Sequence, residues 1–137
     1  MARPLTRPIP DALTEPFWAA AREGKLLIQR NPKSGRAQWF PRVHCVDDWS
    51  VDPEWIEASG KGTLYSFTVI PRSNIEEVPA PYVLAIIELE EGARMGATLV
   101  EVDPEEVKIG MPLEVAFVTV GEGAEQFALP RFRPASA

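Results

Sequence analysis

The sequence predicts a mainly β fold: a five-stranded OB-type barrel preceded by a short N-terminal helix and an irregular segment. Three observations carry the prediction. Five β-rich stretches follow one another from residue 62 onward, and a short helix signal falls between the third and the fourth, which is the order of an OB barrel. Glycines gather near the ends of these stretches, where a small barrel must turn corners. The 137 residues suit one domain with a small appendage, long enough to bury a core without staples.

Residues 1–10 hold three prolines and little to bury, so they read as an extended arm that orders only against another surface. A helix of about three turns is expected next, with Thr14 as its cap and Pro16 in the tolerant first turn. Phe17, Trp18, Ala20 and Ala21 form its apolar stripe and Gly24 stops it. A brief strand at 26–28 leads into the irregular stretch 31–49, with turn residues Pro32, Ser34 and Gly35 and an aromatic pair at Trp39 and Phe40.

Residues 62–70 alternate, which places Tyr65, Phe67 and Val69 on a core face and Ser66 and Thr68 opposite. Residues 82–87 are nearly all apolar, the pattern of a strand buried on both faces. Further strands are expected at 95–102 and 113–120, with a short fifth at 126–129. Asp103 caps and Pro104 opens the intervening helix. The expected division is an arm and helix over 1–25, a brief strand and irregular stretch over 26–50, and the barrel with a C-terminal tail over 51–137.

A net charge of −6 and a pI near 4.8 disfavour a nucleic-acid role, because phosphate neutralisation supplies most of that affinity. No stretch approaches a membrane span and no positively charged leader precedes an apolar run, so the chain reads as cytoplasmic, with no membrane partner. The single cysteine, Cys45, allows no internal disulfide. A nucleophilic role for Cys45 needs a base held by a third group, and the one histidine, His44, is its direct neighbour, whose side chain should diverge. Adjacent acids at 47–48, 76–77, 90–91 and 105–106 read as solvated charges, and no phosphate-binding glycine loop is present. No catalytic residues are therefore assigned.

One ordered set of short motifs extends along nearly the whole chain. It runs from Phe17-Trp18 and Gly24-Lys25-Leu26 through Phe40-Pro41-Arg42 and the stretch from Ser59-Gly60-Lys61-Gly62 to Val69. It continues with Pro81-Tyr82, Ile109-Gly110 and Leu129-Pro130-Arg131-Phe132. In this order the motifs resemble the zinc-ribbon plus OB-fold family known as domain of unknown function thirty-five (DUF35). Its members accompany thiolase-like enzymes, including acyltransferases and steroid side-chain aldolases.

The resemblance implies a non-catalytic accessory subunit that docks on a thiolase-like protein in a hetero-oligomer and shapes part of an acyl-CoA site. The family's ribbon carries two C-x-x-C pairs for zinc, but the matching positions here are Asn31, Ser34, Cys45 and Asp48. Three of four thiolates are missing, so the resemblance implies a degenerate rubredoxin-like ribbon remnant over 26–50 and no metal. A substitute site from His44, Cys45, Asp47 and Asp48 is disfavoured because adjacent residues rarely converge on one ion.

Under that implication Phe17, Trp18, Trp39, Phe40 and Phe132 are the expected partner-binding residues, and Arg72, Tyr82 and Arg131 the expected acyl-CoA contacts. Arg72 lies in the long loop 71–81, where an arginine can meet a phosphate or a partner's acid. The alternative is a stand-alone binder of single-stranded nucleic acid using Tyr65, Phe67 and Tyr82 with Arg72 and Arg94.

Overall fold

The computed structural model describes residues 1–136. Its helix α1, Glu15–Arg22, is shorter than expected, and its cap differs from the expected one. Thr14 makes no side-chain cap bond to the helix. Instead Asp11 accepts from the Thr14 N–H at 2.8 Å and from its hydroxyl at 2.9 Å, while the Thr14 hydroxyl accepts the Asp11 N–H. This exchange starts the chain turning at Asp11 and holds its carboxyl below the ordinary value, through the Thr14 N–H first. Phe17, Ala20 and Ala21 are buried, as the stripe requires.

Strands β1 (Leu27–Arg30), β2 (Ala37–Gln38) and β3 (Glu54–Glu57) form a small antiparallel sheet in the order β2-β1-β3. The ribbon unit thus runs to Glu57, past the boundary expected at residue 50, because Glu54–Glu57 pairs with β1 rather than with the barrel.

The barrel is formed by β4 (Lys61–Ile70), β5 (Tyr82–Leu89), β6 (Arg94–Leu99), β7 (Pro112–Val120) and β8 (Phe127–Pro134). It closes in the order β4-β5-β6-β8-β7, with β7 returning to β4 and β6 meeting β8 in parallel. This is the OB arrangement the sequence predicts, with a single 3-10 turn, Pro104–Glu106, between the third and fourth barrel strands. Asp103 caps that turn by accepting the Glu105 N–H at 2.9 Å. The inward side chains of β5 and β6, joined by Leu64, Leu113 and Phe132, make the core.

Two strand readings need correction. The register between β4 and β5 slips between Leu64 and Ser66, so Tyr65 sits in a bulge. A bulge adds one residue and reverses the facing of what precedes it. Tyr65 is consequently exposed, with the Arg94 guanidinium 3.7 Å over its ring, while Phe67 still packs on the core. On β5 only the odd-numbered residues from Val83 are buried, and Leu84 and Ile86 face outward. The apolar run is a half-buried barrel strand with unusually apolar outer positions.

The C-terminal run is a strand, not a tail. Leu113 to Val120 of β7 pairs along the whole of β8, which extends well past the expected 126–129. The arm also finds its surface within the chain: Arg3 bridges Ile75 in parallel, and the Leu5 N–H donates to Glu77 at 3.0 Å. It is laid along the 71–81 loop.

Candidate functional site

Two places stand out: the loop of the ribbon, with its exposed apolar side chains, and a pocket at one end of the barrel, with an arginine unpaired among the described residues.

The loop is held by polar side chains. Gln29 and Gln38 are buried side by side on β1 and β2, with the Gln38 amide donating to Gln29 Oε1 at 3.0 Å. Gln29 Oε1 also accepts the Arg42 N–H at 2.7 Å, and its amide donates to the Arg42 carbonyl at 2.9 Å. Gln38 treats the next stretch alike, donating to the His44 carbonyl and accepting the Val46 N–H. The two amides stand in for a further strand, satisfying loop backbone that would otherwise be buried without partners.

The loop's apolar side chains are thereby directed outward. Phe40 is 56% exposed, Val43 58%, Val51 59% and Trp49 77%, all within residues 40–51. Trp49 also has a φ of 62°, a left-handed backbone that bulky residues rarely adopt. A backbone hydrogen bond from its N–H to the Cys45 carbonyl at 3.0 Å holds it there. Four large apolar side chains of one short segment are thus left in water.

The expected docking aromatics divide. Phe40 belongs to this face. Trp39 is half-buried beside it, 5.1 Å from Phe17 and 5.5 Å from Phe40 between ring centroids. Trp18 is half-buried on the helix, edge-on to Phe17. Phe17 is buried beneath both, and Phe132 is 0% exposed in the middle of the barrel. Phe132 is therefore corrected from docking anchor to core residue, because closure of β8 onto β7 and β6 turns its ring inward. Packing by Phe40, Val43 and Trp49 inside a metal-free ribbon, which their apolar character suggests, is not what folding gives: these three and Val51 face outward.

The pocket, about 280 Å³, lies between the 77–83 segment, the end of β6 and the outer side of β7 and β8. Tyr82 and Arg131 both line it, among Val78, Leu99 and Val120. Arg131 has no hydrogen-bonding or ion-pairing partner among the described residues, and burial pulls its guanidinium below the ordinary value. The two rim acids are engaged elsewhere, Glu101 by Arg133 at 3.1 Å and Glu77 by the Leu5 N–H. A half-buried guanidinium with five unused donors in an apolar setting suits an acceptor-rich anionic ligand. Arg72 is exposed on the loop and does not line this pocket.

Other chemistry finds less support. Cys45 is fully buried, so its thiol is closed to substrate. Among the described residues no three His, Cys, Asp or Glu side chains converge as metal ligands. The four positions that the resemblance matches to zinc ligands hold an amide, a hydroxyl, one thiol and a carboxylate that already accepts the Ser50 N–H and hydroxyl, at 2.9 and 2.6 Å. That donor set does not fit a tetrahedral thiolate zinc site. One face of the Tyr65 ring is covered by Arg94, itself paired with Glu88 at 2.8 Å, so a base cannot stack on that face without displacing the guanidinium. Among the described residues no helix is long and apolar enough to cross a membrane.

Comparison with known proteins places these features among relatives. The family model described as the ChsH2 C-terminal OB-fold domain matches residues 55–118. A DUF35 domain-containing scaffold protein of Methanocaldococcus jannaschii is 41% identical, over 90% of this chain and 92% of its own. A probable enoyl-CoA hydratase alpha subunit of Thermomonospora curvata is 35% identical over 87% of this chain, which spans only 37% of that larger protein. Among solved structures, the Ltp2-ChsH2(DUF35) aldolase superposes with a TM-score of 0.82 at 32% identity, covering 95% of this chain and 100% of that one.

Proposed function

This chain belongs to the DUF35 family, and from that premise we propose that it is a non-catalytic accessory subunit of a thiolase-like, aldolase or acyltransferase enzyme of acyl-CoA metabolism. The observation that carries the reading is the outward-facing apolar loop of the ribbon, a surface too apolar to be left in water. Phe40, Trp49, Val43 and Val51 supply the contact, backed by Trp39 and Trp18. The names of relatives agree with the assignment: one is a scaffold protein, one a hydratase alpha subunit, and one was solved as part of an aldolase. The complex is a cytoplasmic hetero-oligomer, and the reacting nucleophile belongs to the partner.

Tyr82 and Arg131 form this chain's share of the acyl-CoA site. The apolar walls take a chain or pantetheine segment, and Arg131 takes a carbonyl or phosphate oxygen. Arg72 lies outside the pocket and is assigned to phosphate groups approaching over the 71–81 loop. The chain orients and encloses; it moves no proton.

The experiment is a tagged pull-down from the native cytoplasm, followed by reconstitution of the recovered partner with purified chain. A stoichiometric thiolase-like or acyl-CoA-handling protein that reassembles in light scattering is the expected result. A chain that stays alone, or returns with nucleic acid, overturns the reading. In the reconstituted complex, Arg131→Met should weaken acyl-CoA binding while leaving the isolated chain as stable or more so, because it removes a half-buried uncompensated charge.

A further inference from the structure

The ribbon is built from two tight turns that face one another. The first winds around Asn31, which is 0% exposed: its carbonyl accepts the Gly35 N–H at 2.8 Å and its Oδ1 accepts the Lys33 N–H at 2.9 Å. The second winds around the buried Cys45, whose N–H donates to the Ser50 carbonyl at 2.8 Å and whose carbonyl accepts the Trp49 N–H. Between them stands one carboxylate. Asp47 Oδ1 accepts from the Asn31 amide at 2.8 Å, and Oδ2 accepts from the Ser34 hydroxyl. Both donors lie in the first turn, and Asp47 itself lies in the second.

We propose that this ribbon is organised by a metal-independent polar clip, the Asp47 carboxylate bridging Asn31 and Ser34, and that the clip presents Trp49 to the partner. The second half rests on the docking role proposed above.

Four features support it. Three of the four positions that the resemblance matches to zinc ligands hold side chains already committed to hydrogen bonds: Asn31 and Ser34 to Asp47, and Asp48 to Ser50. Both Asp47 oxygens are used, and Asn31, although buried, has both its donor and acceptor ends satisfied. A carboxylate taking two side-chain donors forms the stronger, charge-assisted kind of bond. Finally, Trp49 lies two residues from Asp47, in the turn that the carboxylate ties down.

The buried thiol supplies the assay. Cys45 can react with an aromatic disulfide only when the ribbon opens, so its labelling rate reports opening independently of any partner. The full chain is purified from zinc-supplemented medium, its zinc is measured by mass spectrometry, and Cys45 labelling is followed with and without a chelator. The expected result is far less than one zinc per chain, labelling indifferent to chelator, and a rise of about tenfold or more in Asp47→Ala. Ser34→Ala, which loses one of the two bonds, should fall between, and it carries the test if Asp47→Ala fails to fold.

Stoichiometric zinc, labelling accelerated by chelator, or unchanged labelling in both variants overturns the clip. Partner affinity is measured on the same proteins. Faster labelling with lost affinity supports both halves. Faster labelling with unchanged affinity overturns the presentation of Trp49 and leaves the clip standing. Failure of the wild-type chain to bind a partner defeats the docking role alone.

Discussion

Replacing Trp49 with alanine is expected to weaken assembly strongly and to cost the isolated chain little. The side chain is 77% exposed. A tryptophan offers roughly 250 Å², so about 190 Å² is free for a partner. At ~25 cal/mol per Å² that surface is worth at most about 5 kcal/mol on binding. Interface anchors deliver about 2–4 kcal/mol once ordering costs are met, which is a loss of about 30- to 700-fold in Kd. The occluded remainder, about 60 Å², limits the loss of folding stability to roughly 1.5 kcal/mol. Trp39→Ala is the contrast: its ring packs on Phe17, so about 3 kcal/mol of stability should go with it. Calorimetric titration against the reconstituted partner and urea unfolding of the free chain measure the two quantities. A Kd for Trp49→Ala within twofold of wild type would refute the assignment of the ribbon loop as the docking face.

Three other outcomes follow from the geometry. Phe132→Ala should cost the free chain about 3–5 kcal/mol in urea unfolding, since its ring is wholly enclosed; a stable variant that only loses partner affinity would return Phe132 to the interface. Gly62→Ala should cost about 1–3 kcal/mol, because the new Cβ would lie 2.5 Å from the Glu88 carbonyl oxygen and 2.8 Å from Ile87; unchanged unfolding would mean the β4–β5 pairing differs from that described. Asp11 titrates below its ordinary value when folded, so its support of α1 is complete above the unfolded carboxyl value near 4 and is lost as pH falls through the lower folded value. Circular dichroism below about pH 4 should show the helix fraying in wild type, and Asp11→Asn should abolish that part of the transition; an unaltered profile would remove Asp11 from the cap.

Much of the architecture was legible because it rests on local signals. Period-two alternation placed β4, the Val- and Phe-rich run placed β7, and Asp103-Pro104 placed the turn between the third and fourth barrel strands. What failed was non-local. Nothing in residues 62–70 announces that Tyr65 is a bulge, since the slip exists only relative to β5. Nothing in Phe132 distinguishes an exposed anchor from a barrel core until β8 is paired on both sides.

The site divides in the same way. The sequence by itself determined that a single cysteine stands among Asn31, Ser34, Cys45 and Asp48, and that the loop around them is rich in apolar side chains. Only the tertiary structure decided that Tyr82 and Arg131 share a pocket while Arg72 does not, that Phe17 and Phe132 are spent on the core, and that Asp47 ties the two turns together. The physical reason is one of range. Helix caps, strand periods and turn residues act over a few positions along the chain. A guanidinium left without a partner, or a carboxylate accepting from side chains 13 and 16 residues away, is defined by what folding brings beside it.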